Sequence, residues 1–191
     1  MPGDFNKAIA AFDEYHRRDP NADDVDNKSV TKELLYAERM TAMLLSIAPG
    51  ANETVKLAAR CQHIGRWEIP RDRYPAGRNG YLQWRNEEKF HHARIAEKIL
   101  RDCDYDSSMI DKVKFLLLKK ELSTNVDSQL LEDVACLVFL EFYLADFAAR
   151  HDEEKIFDIL RKTMNKMSAG RRETALMKLP AKLRPPSTSP S

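Results

Sequence analysis

The sequence lacks the short motifs that mark the common nucleotide-binding and nucleophilic sites. It contains no GxxxxGK phosphate loop and no GxGxxG motif, which argues against the P-loop and Rossmann classes. No segment resembles a serine or cysteine nucleophile motif. The three cysteines, Cys61, Cys103 and Cys136, form no CxxC pair. They fit neither a zinc ribbon nor a disulfide framework, so we interpret them as reduced, buried, small apolar residues.

Long hydrophobic runs are also missing. The longest apolar run, around residues 134–140, is far shorter than the roughly 20 residues that a membrane-spanning helix needs. Residues 1–16 have no basic segment followed by an apolar run, so no secretory signal is predicted. From these absences we expect a cytoplasmic protein that does not bind membranes.

Charge is balanced over the whole chain but uneven along it. Lys+Arg is 31 and Asp+Glu is 30, so the net charge does not indicate a nucleic-acid or membrane partner. Six arginines and no lysine lie in one stretch that holds only two acids, Glu68 and Asp72. The arginines are Arg60, Arg66, Arg71, Arg73, Arg78 and Arg85.

Arginine carries a planar guanidinium that binds phosphate or carboxylate through two parallel hydrogen bonds. The arginine-rich stretch is interleaved with Trp67, Tyr74 and Trp84, which are able to stack on a base. The pattern favours an anion-binding pocket. The alternative is a structural network in which each arginine pairs with an acid of the chain.

Apolar spacing predicts an all-α fold. The 191 residues are 43% apolar and 32% charged, which is typical of one globular domain. Apolar residues recur every three or four positions, and no strand with alternating apolar residues is found. We predict a single-domain bundle over 1–178, a disordered Pro- and Ser-rich tail over 179–191, and about seven helices: 5–18, 31–47, 52–65, 82–101, 108–122, 128–150 and 153–167.

Three histidines lie where an imidazole can reach a pocket. His63 is near the end of a predicted helix, just before Gly65; the alternative is a histidine stabilised by the helix dipole. His91 and His92 are adjacent on a predicted helix, so their side chains point about 100° apart. His92 shares a face with Ile95, Ala96 and Ile99 and is expected to face inward, whereas His91 faces outward or towards a neighbouring helix. The alternative is one core and one surface histidine.

Two acids interrupt an apolar helix. Glu132 and Asp133 lie among leucines and valines, and a buried carboxylate is costly unless it is paired or binds a metal. Both residues are candidates for a site. The alternative is that they sit in the first turns and favour the helix dipole.

Five segments resemble an uncharacterised helical family, the domain of unknown function 4202. They are 33–40, 58–71, 74–75, 80–85 and 131–141. The resemblance covers about Phe5 to Leu179. It implies a helical fold and no established activity.

More distantly, the order of elements resembles the HD metal-dependent phosphohydrolase superfamily. There, a helix histidine, a His-Asp pair and a later aspartate hold a metal. Alignment places Tyr36 at the first histidine, Gln62 and His63 at the pair, and Asp133 at the last aspartate. Tyr36 and Gln62 therefore replace two histidines, and His63 replaces an aspartate. His92 is similar to a histidine that many members use for a second metal.

The HD resemblance implies a rearranged metal set of His63, His92 and Asp133. Imidazole and carboxylate ligands with open positions suit one divalent ion of manganese, iron, zinc or nickel. Glu132 or Glu38 is the candidate proton acceptor.

The implied function is an HD-like phosphohydrolase acting on a phosphorylated small molecule or nucleotide. Arginine side chains of the pocket would hold the phosphate. The alternative is a non-catalytic nucleotide- or RNA-binding protein that uses the same pocket without a metal. A third interpretation is a structural helical protein.

Overall fold

The computed structural model describes residues 3–25, 27–179 and 183. The described residues form an all-α protein, as predicted, and the one exception is a short β-hairpin. The chain divides into two compact units, 1–131 and 132–191. None of the described helices combines the length and the apolar composition needed to cross a membrane. Most of the predicted disordered tail lies outside the described residues.

Unit 1 contains five complete helices among the described residues, together with the hairpin. Between α3 and α4, Arg66–Glu68 and Arg71–Arg73 form single 3₁₀ turns. The elements are α1 (Phe5–His16), β1 (Ala22–Val25), β2 (Lys28–Thr31), α2 (Lys32–Ile47), α3 (Glu53–Cys61), α4 (Gly77–Asp102) and α5 (Ser107–Leu117). Helix α6 (Val126–Val138) begins in this unit.

Helix α3 is the centre of unit 1. It packs against α1, α2 and α5, and Val55, Leu57 and Ala58 are fully buried. Asn52 caps it, since the Asn52 side chain accepts a hydrogen bond from Val55 N. Asp4 caps α1 in the same way through Lys7 N. Both caps confirm the predictions, because short polar side chains satisfy the free N–H groups of a first turn.

The hairpin corrects the prediction of a loop over 19–30. β1 and β2 pair antiparallel, with Ala22 opposite Thr31 and Val25 opposite Lys28. No residue of either strand is fully buried, so there is no apolar alternation for a sequence pattern to detect. Asp19 fixes the base of the hairpin, since its carboxylate accepts hydrogen bonds from Asn21 N and Glu33 N.

Helix α4 begins at Gly77, earlier than the predicted 82. Its first turn packs closely on the preceding loop. A side chain at Gly80 would place Cβ 1.9 Å from Pro75 O. Gly80 therefore permits backbone contact at this point and does not break the helix. Helix α3, in contrast, ends at Cys61, before the predicted Gly65.

Unit 2 is formed by the end of α6 and the elements that follow. The predicted helix 128–150 is interrupted by a π-helical turn, and an unpredicted helix follows the seventh. The elements are the π turn Phe139–Tyr143, α7 (Leu144–Ala148), α8 (Glu153–Lys166) and α9 (Ala169–Lys178). Asp133 accepts hydrogen bonds from Ser168 N at 2.8 Å and Ser168 Oγ at 2.6 Å, next to the start of α9.

Arg60 joins three helices of unit 1. Its Nε and Nη2 donate to the two oxygens of Asp13 at 2.6 and 2.8 Å, and its Nη1 donates to Thr41 Oγ1 at 3.3 Å. His16 Nε2 donates to the Arg60 carbonyl at 3.0 Å. The guanidinium of Arg60 is thus paired with the carboxylate of Asp13, so we leave Arg60 out of the proposed site.

We expect Asp13→Ala to lower the free energy of unfolding by about 3 kcal/mol, because it leaves a buried guanidinium without its counter-ion. Urea denaturation measures this loss. Glu14→Ala is the control, since it breaks only the exposed Glu14–Arg17 pair and should change stability by less than about 0.5 kcal/mol. Equal effects of the two substitutions would contradict a structural role for Arg60.

Candidate functional site

The predicted arginines separate into three groups. Arg60 and Arg71 bond to the protein itself: Arg71 donates to Tyr74 O and Pro75 O, both at 3.0 Å, and so fixes the loop before α4. Arg73 and Arg78 are exposed. Arg66 and Arg85 face the interior of unit 1 and share one buried carboxylate there.

That carboxylate belongs to Glu88 on α4, whose side chain is only 1% exposed. Arg66 Nε lies 3.4 Å from its Oε1, and Arg85 Nη1 lies 3.4 Å from its Oε2. Both distances exceed the 2.7–2.9 Å typical of a charge-assisted hydrogen bond, and Oε1 has no hydrogen-bond partner among the described residues. Burial raises the pKa of Glu88.

Arg66 is positioned by a tight turn and an aromatic ring. Gly65, with φ of 72°, precedes the 3₁₀ turn that carries Arg66, and a Cβ at Gly65 would lie 2.4 Å from Ile95 Cδ1. The Arg66 guanidinium carbon is 5.2 Å from the centre of the Trp84 ring. Trp84 Nε1 donates to Ile69 O at 2.8 Å. Trp84 is buried, so its indole supports Arg66.

His63 accepts a hydrogen bond from Arg66 and stacks on Tyr36. Arg66 Nη1 is 3.1 Å from His63 Nδ1, and the His63 and Tyr36 rings are 4.1 Å apart at 9°. Burial, then the cation of Arg66, holds the pKa of His63 well below its usual value. A neutral imidazole is what the contact requires, because a guanidinium can only donate. The structure thus brings together two of the positions aligned with the HD superfamily.

A carboxyl group that the sequence analysis missed lies beside this imidazole. Glu33 Oε2 is 3.7 Å from His63 Nδ1, and it has no hydrogen-bond partner among the described residues. Burial raises the pKa of Glu33 to about 7. Glu33 and Tyr36 are three residues apart and so share a face of α2. Glu38, the predicted proton acceptor on this helix, is exposed.

His92 presents an open nitrogen to the same region. Its Nδ1 donates to Ile64 O at 2.7 Å, which leaves Nε2 unprotonated in the neutral ring. This Nε2 is buried and has no partner among the described residues. The His92 and His63 rings are 5.9 Å apart. Burial lowers the pKa of His92 to about 3, so the ring is neutral at ordinary pH.

We name this group the Arg66 cluster. Its members come from α2, from the segment after α3 and from α4, and all lie in unit 1. They are Glu33, His63, Arg66, Arg85, Glu88 and His92. The side chains of Arg66 and Arg85 are 30% and 25% exposed, so solvent reaches the guanidiniums while Glu88 stays inside.

Of the three predicted metal ligands, His63 and His92 belong to the Arg66 cluster, with ring centres 5.9 Å apart. Asp133 belongs to unit 2, where it accepts hydrogen bonds from Ser168, and Glu132 is 3.8 Å from Lys166 Nζ. In the part of the chain that the structure describes, no three His, Cys, Asp or Glu side chains are grouped to hold a metal ion. The positively charged group that contacts His63 is the guanidinium of Arg66. The metal set of His63, His92 and Asp133 therefore stays a prediction.

The remaining predicted aromatics lie near the cluster's turn and loop. Trp67 packs at a tilt on Tyr15, with ring centres 5.8 Å apart. Tyr15 Oη donates to Glu68 at 2.7 Å, and His91 Nε2 contacts the other Glu68 oxygen at 2.8 Å. The pKa of Tyr74 is raised mainly by a hydrogen bond to Glu87. The base-stacking roles of Trp67 and Tyr74 stay predictions.

The fold and the cluster define an all-α protein with a buried guanidinium–carboxylate–imidazole site. The profile of the domain of unknown function 4202 matches residues 6–186, and the chain belongs to that family. This confirms the first resemblance; membership of the HD superfamily is not shown. No curated protein and no solved structure matches the chain.

Acid should destabilise the protein through His92. Its folded pKa of about 3 lies below the usual 6.5, so the stability it contributes is present above pH 6.5 and is lost as pH falls towards 3. In the variant His92→Gln, the amide can still donate to Ile64 O but does not titrate. Between pH 6.5 and pH 3, we expect the free energy of unfolding of this variant to fall less than that of the unmodified protein, by at most about 5 kcal/mol.

Urea denaturation at several pH values measures this difference. His16 adds a slope of the same sign in both proteins, because burial lowers its pKa to about 4. His151→Gln, the same substitution at an exposed histidine, is the control. The same slope in His92→Gln and in the unmodified protein would contradict the neutral, buried state of His92.

Proposed function

We propose that the Arg66 cluster binds the phosphate group of a phosphorylated small molecule or nucleotide. The observation that carries this proposal is that two partly exposed guanidiniums share one buried carboxylate, each at 3.4 Å. A phosphate offers several oxygens to planar guanidinium forks. It would therefore satisfy both arginines better than Glu88 alone can.

Charge within the cluster favours an anion. Arg66 and Arg85 are always positive, whereas the imidazoles of His63 and His92 are neutral because their pKa values are lowered by burial. Only Glu88, and at neutral pH part of the Glu33 population with its pKa of about 7, opposes them. Such an excess of positive charge in a low-dielectric site attracts anions more strongly than the same charges in water.

The site also offers groups that order a bound phosphate ester. The ring of His63 contacts both Tyr36 and Arg66, and the guanidinium carbon of Arg66 lies over the Trp84 ring. Side chains that are locked by packing lose little freedom when a ligand binds. The exposed Arg73 and Arg78 remain candidates for contacts with the rest of the ligand.

We expect Arg85→Gln to weaken the binding of inorganic phosphate and of a nucleoside monophosphate by about 10- to 100-fold, the usual worth of a charge-assisted hydrogen bond. Titration calorimetry measures the dissociation constants. Arg66→Lys should also weaken binding, because it keeps the charge but loses the fork.

Arg101→Gln is the matched control for these variants. Arg101 is on the same helix, is 59% exposed and pairs with Glu97, so its loss should leave phosphate affinity unchanged. If Arg85→Gln and Arg101→Gln bind phosphate as tightly as the unmodified protein, the Arg66 cluster is not the site.

A metal-dependent phosphohydrolase remains the second candidate, and one observation favours it. His92 donates Nδ1–H to a backbone carbonyl and leaves Nε2 open, which is how metal-binding histidines are commonly oriented. If this candidate holds, manganese, zinc or nickel raises the melting temperature of the protein but not that of His92→Gln. If none of the three ions changes the melting temperature of the unmodified protein, this candidate is removed.

A further inference from the structure

Glu88 is an unusual partner for a ligand site because it competes with the ligand. It is 1% exposed, and both its oxygens face guanidiniums that the proposed phosphate would also use. A ligand that binds the guanidinium groups of Arg66 and Arg85 removes the two cations that stabilise the charge of Glu88. A buried carboxylate that loses its counter-ions is strongly destabilised unless it takes up a proton.

The charged groups around Glu88 come from three elements. Arg66 faces it from the 3₁₀ turn, and Arg85 and His91 act on it from α4. Glu33, on α2, has a like charge that interacts with Glu88. The phenol of Tyr74, in the loop before α4, is a further titratable group that interacts with Glu88. When a ligand occupies both guanidiniums, Glu88 loses the two cations that lie against its oxygens.

We propose that Glu88 sets the ligand class of the Arg66 cluster, so that the site selects the dianion of a phosphate monoester and takes up a proton on Glu88 when that dianion binds. This inference rests on the proposed function. The chemistry balances without a co-reactant: the proton comes from solvent, the two arginines exchange a carboxylate for a phosphate, and no covalent bond is made or broken between protein and ligand.

A diester would behave differently at this site. A phosphate diester is a monoanion. The excess positive charge of the cluster already accommodates its one negative charge while Glu88 stays ionised. A dianion brings a second charge that Glu88 must offset by protonation. A terminal phosphate therefore benefits from both guanidiniums, whereas the backbone of RNA, which consists of diesters, does not. The raised pKa of Glu88 in the free protein, caused by burial, points in the same direction.

Titration calorimetry with phenyl phosphate tests the inference. At pH 7.5 this probe is a dianion, since the second pKa of a phosphate monoester is about 6. Measured in Tris and in HEPES, which differ in ionisation enthalpy, the heats give the number of protons taken up. We expect about one proton to be taken up per bound phenyl phosphate. The affinity should then fall by up to about tenfold for each pH unit above 7.5.

Methyl phenyl phosphate, a monoanionic diester, is the matched ligand. It should bind at least about tenfold more weakly than phenyl phosphate, which is the loss of one charge-assisted contact, and without proton uptake. Equal affinity for the two esters would overturn the assignment of the ligand class.

Glu88→Gln is the matched variant, because the amide has the shape of the carboxyl group but does not titrate. It should bind phenyl phosphate without proton uptake, and at least about tenfold more tightly because the internal competitor is gone. Glu87→Gln is the control on the neighbouring, exposed residue and should keep both the affinity and the uptake of the unmodified protein.

The outcomes separate this inference from the proposed function. If phenyl phosphate binds through Arg85 without proton uptake, Glu88 does not select the ligand and the phosphate site stands. If neither phenyl phosphate nor inorganic phosphate binds to the unmodified protein, the proposed function fails and the inference fails with it. The pH dependence of the unmodified protein decides the matter even if Glu88→Gln does not fold.

Discussion

The constraint on which the site depends is the burial of one carboxylate between two guanidiniums. Glu88 is 1% exposed, and an unpaired charge at that depth would be costly. The 3₁₀ turn brings Arg66 to it from one side, and α4 supplies Arg85 one turn earlier. Once both arginines must face Glu88, the neutral states of His63 and His92 follow from burial and from the adjacent cations.

The density of arginine in the sequence had several causes that only the structure separates. Arg60 fixes α1 to α3 through Asp13, and Arg71 holds the loop before α4 through backbone carbonyls. Arg66 and Arg85 form the candidate site. The structural interpretation therefore applies to Arg60 and Arg71, and the anion pocket stays a proposal for Arg66 and Arg85.

Most of the helices, and the region of the site, could be predicted from apolar spacing and from the arginines. The carboxyl groups of the candidate site, those of Glu33 and Glu88, could not be predicted in this way. Glu87 and Glu88 are adjacent in a largely polar helix, and apolar spacing does not tell which one is buried. On α2, Glu38 was predicted and Glu33 lies beside His63. Which acid faces inward depends on where the segment after α3 packs, and that is a tertiary contact with no local signal.

The most direct test of the account is a crystal structure of the protein with phenyl phosphate bound. The account predicts phosphate oxygens about 2.7–2.9 Å from the guanidinium nitrogens of both Arg66 and Arg85, with the Glu88 carboxyl group no longer between them. A phosphate bound elsewhere, with Glu88 still shared by both arginines, would contradict it.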